Sequence, residues 1–438
     1  MMEKTERDRL IQQLAGENIA RYIPDYRNFK PGEQILYSGP YWDHEELELA
    51  MQALLSGKWL SNGEYTARFQ HAFATKFNVK EAHFVNSGSS ANLVMIASVK
   101  KRLGWKDGDE VIVSPVGFPT TIAPLVQNGL VPVFADIELD TLNFDLNEVS
   151  KKVTDRTVAI FVSPVLGNPP DFDFLEALIH GHEDYKNKSI ILLGDNCDSL
   201  GSKWSGKLIT DYYYAWTSSF YPAHHISTGE GGMVCSNDPE LMVHARSFSW
   251  WGRDCYCVGA ANLLACGTCG NRFAPHLGEQ FGVIDHKYVF TNMGYNLKPL
   301  DLQGAIGLAQ LKKFDHMEKL RRDNHNTFVK LLQTYIPEID FAWSLPSADP
   351  SWFGVPIICS TDTQKKKLVT FLEKNKIQTR NYFAGNILVH PGYKHLDDYT
   401  KYPYANSALS HVFFVGCPPH YNQKVFNHIR EVLKTWIA

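Results

Sequence analysis

The chain has 438 residues, of which 44% are hydrophobic and 13% aromatic, which is enough for a large core with a smaller appended domain. Its net charge of −4 argues against a protein that binds nucleic acid or a membrane surface. The charged start lacks the apolar core of a signal peptide, and no apolar run reaches transmembrane length. We therefore expect a cytoplasmic protein with no membrane partner.

Helical patterns alternate with short apolar runs between about residues 44 and 250. A helix is predicted over 89–103, and strands are predicted over 81–87, 110–115, 131–137, 157–164 and 189–195. The last three runs are almost purely apolar, which is typical of strands buried on both faces. The pattern predicts an α/β fold with a parallel or mixed sheet covered by helices.

The rest of the chain changes character. Residues 250–295 are rich in glycine and cysteine without helical or strand periodicity, which indicates an irregular insertion. A long helix is predicted over 300–336, followed by a smaller α+β domain. We predict an N-terminal segment (1–40), a large domain (41–300) with a Cys-rich insertion (250–290), and a connecting helix with a small C-terminal domain (301–438).

One turn has the composition of a phosphate site. Asn-Ser-Gly-Ser-Ser-Ala-Asn (86–92) lies between a predicted strand and a helix, and includes Gly88, Ser89 and Ser90. Small residues at a helix N-terminus expose backbone N–H groups, which suit a phosphate. The alternative is an ordinary helix start that follows N-cap preference.

Two further residues follow predicted strands. Asp195 ends the apolar run Ser-Ile-Ile-Leu-Leu-Gly-Asp, where open α/β sheets place ligands. The alternative is a turn or N-cap aspartate. Phe118 follows another strand and is available to stack on a planar ligand, although an aromatic residue there also suits the core.

The loop 219–232 resembles the lysine loop of pyridoxal-phosphate enzymes, with His224 at the lysine position. With the 86–92 turn, Gly-Asp-Asn-Cys-Asp-Ser-Leu-Gly (194–201) and Gly-Tyr-Asn-Leu-Lys (294–298), it resembles the DegT/DnrJ/EryC/StrS sugar aminotransferase family. That resemblance implies the aspartate-aminotransferase (type I) fold. The chain also resembles the branch of that family that contains CDP-4-keto-6-deoxyglucose 3-dehydratase and a related dTDP-sugar 3-dehydratase. The motifs that carry this resemblance lie at 219–226, 252–257, 269–273, 285–288, 349–354 and 383–386.

The resemblance implies a role for each site residue. A histidine cannot bond covalently to the cofactor aldehyde, so the cofactor is expected as free pyridoxamine phosphate, with His224 as the base. Histidine has an ordinary pKa of about 6.5, near working pH. Asp195 would hold the pyridine nitrogen, Asp198 would lie near the ring hydroxyl, and Ser219 near the phosphate. Asn296 would reach the phosphate of a partner subunit, which implies a homodimer with shared sites.

His225, beside the base, is expected in a supporting or surface position. Cys235, Cys359 and Cys417 lie in apolar contexts and are predicted as buried small hydrophobes.

The other five cysteines suggest a metal centre. Cys255, Cys257, Cys266 and Cys269 alone have the spacing of a zinc knuckle. The dehydratase resemblance instead implies a [2Fe–2S] cluster held by Cys197, Cys255, Cys257 and Cys269, with Cys266 as a rival fourth ligand. We favour the cluster because a structural zinc would not recruit a cysteine beside the cofactor.

These expectations give one hypothesis for function. The chain would remove the C3 hydroxyl of a nucleotide-linked 4-keto-6-deoxyhexose, with CDP favoured over dTDP, and a flavin/iron–sulfur reductase or ferredoxin-type donor would supply electrons. The alternatives are a sugar aminotransferase, which position 224 opposes, and a cluster-free dehydratase, which the cysteine loop opposes. A non-catalytic zinc or assembly protein is opposed by the intact Asp195 and serine turn.

Overall fold

The fold is seen in a computed structural model that describes residues 4–22, 29–56, 60–181, 190–254 and 272–437. The helices are α1 (Lys4–Tyr22), α2 (His44–Ser56), α3 (Glu64–Lys76), α4 (Gly88–Leu103), α5 (Pro119–Gln127), α6 (Leu146–Lys152), α7 (Phe172–Gly181), α8 (Pro239–Ser249), α9 (Asp301–Tyr335), α10 (Asp362–Lys374), α11 (Pro403–His411) and α12 (Gln423–Leu433). None of the helices in these ranges is both long and apolar enough to cross a bilayer.

Several of the strands are only two residues long. They are β1 (Glu81–Val85), β2 (Glu110–Val113), β3 (Val131–Phe134), β4 (Thr157–Val162), β5 (Ile191–Asp195), β6 (Lys203–Trp204), β7 (Lys207–Leu208), β8 (Ala215–Ser219), β9 (Gly232–Ser236), β10 (Phe273–Ala274), β11 (Ile284–Asp285), β12 (Asp340–Phe341), β13 (Ala348–Asp349), β14 (Gly354–Ile358), β15 (Thr379–Asn381) and β16 (Val412–Gly416).

A mixed seven-stranded sheet forms the centre of the large domain, in the order β1-β9-β8-β5-β4-β2-β3. The strands from β8 to β3 run parallel, whereas β9 is antiparallel to both of its neighbours. Two buried apolar clusters cover the strands, with helix α4 and the phenylalanines of α3 as major contributors. The prediction of an α/β fold with a parallel or mixed sheet is confirmed.

The small domain is an antiparallel sheet in the order β12-β14-β16-β15, with a core of its own that includes residues of α10 and α12. Helix α9 runs for 35 residues and contacts α2 and α3 at one end and α12 and β14 at the other. This helix therefore connects the two domains. Its start at Asp301 coincides with the domain boundary that the sequence suggests, which stays a prediction.

Four of the five predicted strands extend two or three residues beyond the observed ones, whereas the 189–195 strand ends at Asp195 as predicted. The 110–115 and 157–164 strands end at Val113 and Val162. The residues just beyond the strand ends belong to loops at the carboxyl edge of the sheet. Strands β8 and β9 were not predicted, because the short polar sequence of β8 lacks an apolar pattern although it is fully buried.

A glycine of β9 allows the sheet to approach the serine turn. A Cβ atom added at Gly232 would lie 2.3 Å from the Ser87 carbonyl oxygen and 2.6 Å from the Gly88 nitrogen. Since backbone atoms cannot move aside, we expect Gly232→Ala to destabilise the fold by about 1–3 kcal/mol in denaturant titrations. Gly392→Ala is the control, because no atom lies within 4 Å of its added Cβ, and an equal stability for both variants would contradict the prediction.

Candidate active site

One cavity of about 720 Å³ brings together most of the residues singled out in the sequence. It is lined by groups from the large domain and by residues of β15 and the loop that follows it. The predicted residues that line it are Gly88, Ser89, Phe118, Asp195, Cys197, Asp198, Ser219 and His224. Ser90 and Asn296 are not among its lining residues.

The serine turn starts α4 at the cavity wall. Ser87 caps the helix by accepting a hydrogen bond from the Ser90 backbone nitrogen at 3.1 Å, so Ser90 contributes to the turn's shape. A Cβ added at Gly88 would lie 2.5 Å from Ser219 Cβ and 3.1 Å from Cys197 Sγ. Only glycine leaves this space open, and the helix N-terminus beside it has the donors that a phosphate requires.

Asp195 is buried at the end of β5 and is held by neighbouring side chains. Its Oδ2 accepts hydrogen bonds from Asn92 Nδ2 at 2.8 Å and Thr121 Oγ1 at 2.6 Å. Thr217 in turn donates to Asn92 Oδ1 at 2.6 Å. Within the part of the chain that the structure describes, Oδ1 has a 3.4 Å contact from the Cys197 backbone nitrogen, and the Cys197 thiol also contacts the carboxylate. One carboxylate oxygen is thus available to a ligand, which fits a partner for a pyridine nitrogen.

The aromatic residue Phe118 and the polar residue Asn296 were also predicted to contact the cofactor. Phe118 precedes α5, is 52% exposed, and packs edge-on against Phe383 across the cavity. Its face is available for stacking. Asn296 is exposed and pairs with Trp250 in an isolated bridge, away from its own chain's cavity.

His224 lies in the loop between β8 and β9. Its Nδ1 is 3.4 Å from Asp198 Oδ1, but the geometry leaves this buried nitrogen without a hydrogen-bond partner among the described residues. The ring also packs 5.2 Å from the Phe353 ring, measured between centroids. A ring nitrogen without a hydrogen-bond partner, in the cavity that Asp195 also lines, is suited to exchange a proton with a bound ligand.

Burial shifts the pKa values of His224 and Asp198. It lowers the pKa of His224 to about 3, with the Arg321 charge acting in the same direction and a hydrogen bond to the Cys197 backbone opposing it. It also raises the pKa of Asp198 to about 7, with the Asp195 charge adding to the effect. His224 in this cavity is therefore a weaker base than an ordinary histidine, whose pKa is about 6.5. The ring is neutral at pH 7 and able to accept a proton.

Arg321 holds the loop that contains His224, and its role was not predicted from the sequence. Its buried guanidinium donates through Nη2 to the His224 carbonyl at 2.8 Å and approaches the Ala223 carbonyl at 3.5 Å. The signal was present in α9, where Arg321 falls in register with the buried residues Met317, Asn324 and Phe328. A cation at a core position of a helix costs several kcal/mol unless it has partners.

We expect Arg321→Met to lower kcat by about 10–100-fold, because small shifts of a catalytic group are costly, while KM for the sugar stays within about threefold. Arg321→Lys should recover part of the loss, since an ammonium also donates to carbonyls. Arg322→Met is the matched control, because Arg322 pairs with Glu318 and Asp349 instead. A kcat loss shared equally by both variants, measured beside their melting temperatures, would contradict this role.

His225 and the remaining cysteines can also be placed. His225 is buried and its Nε2 lies 3.0 Å from the Ser351 carbonyl oxygen, so its surface alternative is wrong. Cys235, Cys359 and Cys417 are buried, as predicted.

The proposed metal ligands are only partly placed. Cys197 lines the cavity and is partly buried, whereas Cys255, Cys257, Cys266 and Cys269 lie outside the described residues. Within the described ranges no group of three or more His, Cys, Asp or Glu side chains is arranged to hold a metal ion.

Comparison with known proteins gives consistent matches along the chain. Residues 41–434 match the DegT/DnrJ/EryC1/StrS aminotransferase family. The chain is 39% identical over 409 residues to dTDP-4-dehydro-2,6-dideoxy-D-glucose 3-dehydratase of Saccharopolyspora spinosa, covering 92% of this chain and 86% of that protein. It is 33% identical to GDP-4-keto-6-deoxy-D-mannose 3-dehydratase of Escherichia coli O55:H7, covering 90% and 97%.

A solved structure agrees with these sequence matches. The E. coli GDP-4-keto-6-deoxy-D-mannose-3-dehydratase with bound hydrated PLP superposes with a TM-score of 0.78 at 32% identity, covering 91% of this chain and 99% of that one. The aminotransferase fold expected from the sequence is confirmed by this similarity.

Proposed function

Because this chain belongs to the DegT/DnrJ/EryC1/StrS aminotransferase family, we propose that it is a nucleotide-sugar 3-dehydratase that uses pyridoxamine or pyridoxal phosphate. The observation that carries the proposal is His224 at the lysine position, in one cavity with Asp195 and the serine turn. The relatives named above as 3-dehydratases support the same reaction class. The substrate class is a nucleotide-linked 4-keto-6-deoxyhexose that loses its C3 hydroxyl.

Each of the main cavity residues has its own proposed role in the reaction. Bound pyridoxamine phosphate supplies an amine for the sugar ketone and a ring that accepts electrons. The serine turn binds the phosphate, and Asp195 holds a proton on the ring nitrogen. The His224 imidazole would accept the proton that leaves C4′ of the cofactor and would donate it to the C3 hydroxyl, which leaves as water. The Asp198 carboxyl would lie near the ring hydroxyl of the cofactor, while the Phe353 ring and the Cys197 backbone contact the imidazole of His224.

We further propose that Cys197, Cys255, Cys257 and Cys269 hold a [2Fe–2S] cluster. The position of Cys197 on the cavity wall, close to Gly88, supports a cluster beside the cofactor. A cluster there would supply single electrons and would require a flavin/iron–sulfur reductase or a ferredoxin as partner.

The cluster can be tested by measuring iron and acid-labile sulfide in anaerobically purified protein, with an EPR spectrum after reduction. Cys269→Ser is expected to remove the cluster and Cys266→Ser to retain it, which would identify the fourth ligand. Cys359→Ser is the control, because Cys359 is a core residue of the small domain. Bound zinc without sulfide would overturn the assignment.

We propose CDP as the nucleotide because the chain resembles the branch that contains the CDP-sugar 3-dehydratase, although the motifs themselves do not distinguish CDP from dTDP. The relatives above are named for dTDP and GDP sugars, so the test must compare three bases. We would incubate the enzyme anaerobically with the CDP-, dTDP- and GDP-linked 4-keto-6-deoxyhexoses, pyridoxamine phosphate and a chemical reductant. Mass spectrometry should find a sugar that has lost one oxygen, most rapidly with CDP.

The same assay separates the alternatives. A product that carries nitrogen would indicate a sugar aminotransferase. Turnover with an amino donor such as glutamate, and without reductant, would indicate the cluster-free dehydratase. His224→Asn is the negative control for either form of dehydration.

We also propose a homodimer in which each subunit completes the other's site. Large apolar side chains are exposed in the segment of the chain that precedes Asn296, among them Phe281, Tyr288 and Met293, of which Met293 is 95% exposed. Exposed apolar clusters of this kind are typical of subunit interfaces.

Subunit mixing tests this arrangement. His224→Asn and Asn296→Asp chains are each expected to be inactive alone, the second because its charge repels a phosphate. A mixed dimer should regain activity, because one of its two sites then combines an intact His224 with an intact Asn296 from the other chain. Failure of refolded mixtures to regain any activity would contradict shared sites.

A further inference from the structure

An arginine of the small domain lines the cavity on strand β15. Arg380 lies opposite Phe414 of β16 in the sheet, and its side chain is exposed to the cavity. Among the described residues that line the cavity it is the only lysine or arginine. The acidic residues of the same lining are Asp195, Asp198 and Glu230.

The guanidinium of Arg380 is held in place although it is exposed. Its Cζ lies 4.0 Å from the centroid of the Tyr37 ring, a cation–π contact. Its Nη1 donates to the Thr379 carbonyl at 2.8 Å. Tyr37 is fixed in turn, because its backbone nitrogen donates to Gln378 Oε1 at 3.2 Å. The arginine is therefore oriented before any ligand binds.

The remaining donors of Arg380 have no carboxylate partner. Within the described residues it forms no ion pair, and only Nη1 is used in a hydrogen bond. An arginine presents five N–H donors in a planar fork, which matches two anionic oxygens. The described lining of the cavity contains three carboxyl groups and two histidines but no other lysine or arginine. A fixed guanidinium without a carboxylate partner in such a cavity is suited to an anion carried by the substrate.

Two anionic groups must be accommodated if the proposed function holds. The serine turn offers neutral backbone donors to the cofactor phosphate, and it lies in the large domain. A nucleotide-linked sugar brings a second anion, its diphosphate, which would be repelled by the acidic lining unless a cation offsets it.

Resting on the function proposed above, we propose that Arg380, stacked on Tyr37, binds the diphosphate of the nucleotide-linked sugar. The contact acts on substrate binding and not on the proton transfers at His224. It is also independent of the base, since CDP-, dTDP- and GDP-linked sugars share the diphosphate.

Calorimetry on the protein loaded with pyridoxamine phosphate tests the proposal. The affinities for CDP, GDP and dTDP are each compared with the affinity for the corresponding nucleoside. Arg380→Met should weaken diphosphate binding by about 10–100-fold, the range for a lost charged hydrogen-bond pair, and change nucleoside binding by less than about threefold. Arg380→Lys should recover part of the affinity, because an ammonium keeps the charge without the fork. In turnover, KM for the sugar should rise by a similar factor while kcat changes little.

Arg68→Met is the matched control, because Arg68 also lies over a tyrosine, Tyr65, at 5.4 Å, but on α3 and away from the cavity lining. Diphosphate affinity in Arg380→Met equal to that of the unmodified protein would overturn the assignment while leaving the dehydratase proposal intact. The assignment would also be overturned if Arg380→Met lost affinity only for an amino-acid carboxylate, such as that of glutamate, and not for the diphosphates. If the unmodified protein bound no nucleoside diphosphate, both proposals would fall.

Discussion

His224→Asn is expected to lower kcat by about 10²–10⁴-fold, the range for removing a general acid–base group. Asparagine is close in size but cannot exchange a proton near neutral pH. The cavity otherwise stays as it is, because the loop is fixed through backbone carbonyls that Arg321 holds. The measurement is single-turnover formation of the deoxygenated sugar under anaerobic conditions.

His225→Gln provides the control for this experiment, because His225 is the adjacent histidine and contacts Ser351 rather than the cavity. A glutamine can preserve that hydrogen bond, so its kcat should remain within about threefold of the unmodified value, as expected for a conservative change away from the reacting atoms. Full activity in His224→Asn would remove the basis of the mechanism.

The same position also permits a gain-of-function measurement. Restoring a lysine by His224→Lys supplies the amine that can bond to the cofactor aldehyde. Borohydride treatment with pyridoxal phosphate should then leave a covalent mass increase on the peptide that contains position 224. The unmodified protein should show no such adduct in that peptide, and an adduct elsewhere in its cavity would contradict noncovalent binding.

Asp195→Asn is expected to lower kcat by about 10²–10³-fold, comparable to the loss of a single preorganised electrostatic group. The amide oxygen can still accept from Asn92 and Thr121, which bind Oδ2 of the native residue. Its NH₂ group then replaces the oxygen offered to the ligand. A donor at that place disfavours a protonated ring nitrogen, so the ring becomes a weaker electron acceptor. The absorbance spectrum of bound cofactor and kcat report the change together.

Asp136→Asn separates this effect from loss of a buried charge. Asp136 is also buried, and its carboxylate accepts backbone N–H groups of Ile137, Tyr404 and Ala405 outside the cavity. Its replacement should reduce the melting temperature and leave kcat nearly unchanged. Similar kcat losses in both variants would mean that Asp195 acts through stability alone.

Local sequence patterns were sufficient for the main elements and for several site residues. The apolar runs that became β4 and β5 are almost wholly buried, as their composition predicts. The same prediction is wrong for the run that became β3, because β3 is an edge strand of the sheet and is only partly buried. The serine turn carries its own helix-capping signal through Ser87. His224 was singled out because its loop resembles the lysine loop of pyridoxal-phosphate enzymes, and the structure places it in the cavity lining.

Other features depended on contacts that a linear pattern does not encode. The depressed pKa of His224 follows from its burial and from Arg321, nearly a hundred residues away in the chain. The partners of Asp195 come from α4 and α5, and their hydrogen bonds arise only when the helices pack on the sheet. Strand β8 was missed because burial, and not composition, makes it a strand.

The sequence by itself determined the order of the elements and the kinds of side chain available at the carboxyl ends of the strands, because periodicity and turn chemistry are local properties. The tertiary structure decided which of those side chains meet. It brought Gly88, Asp195, Ser219 and His224 to one cavity, and it added Arg380 from the small domain. The physical reason is that parallel strands end at a common edge, where packing of a second domain encloses the groups that follow them.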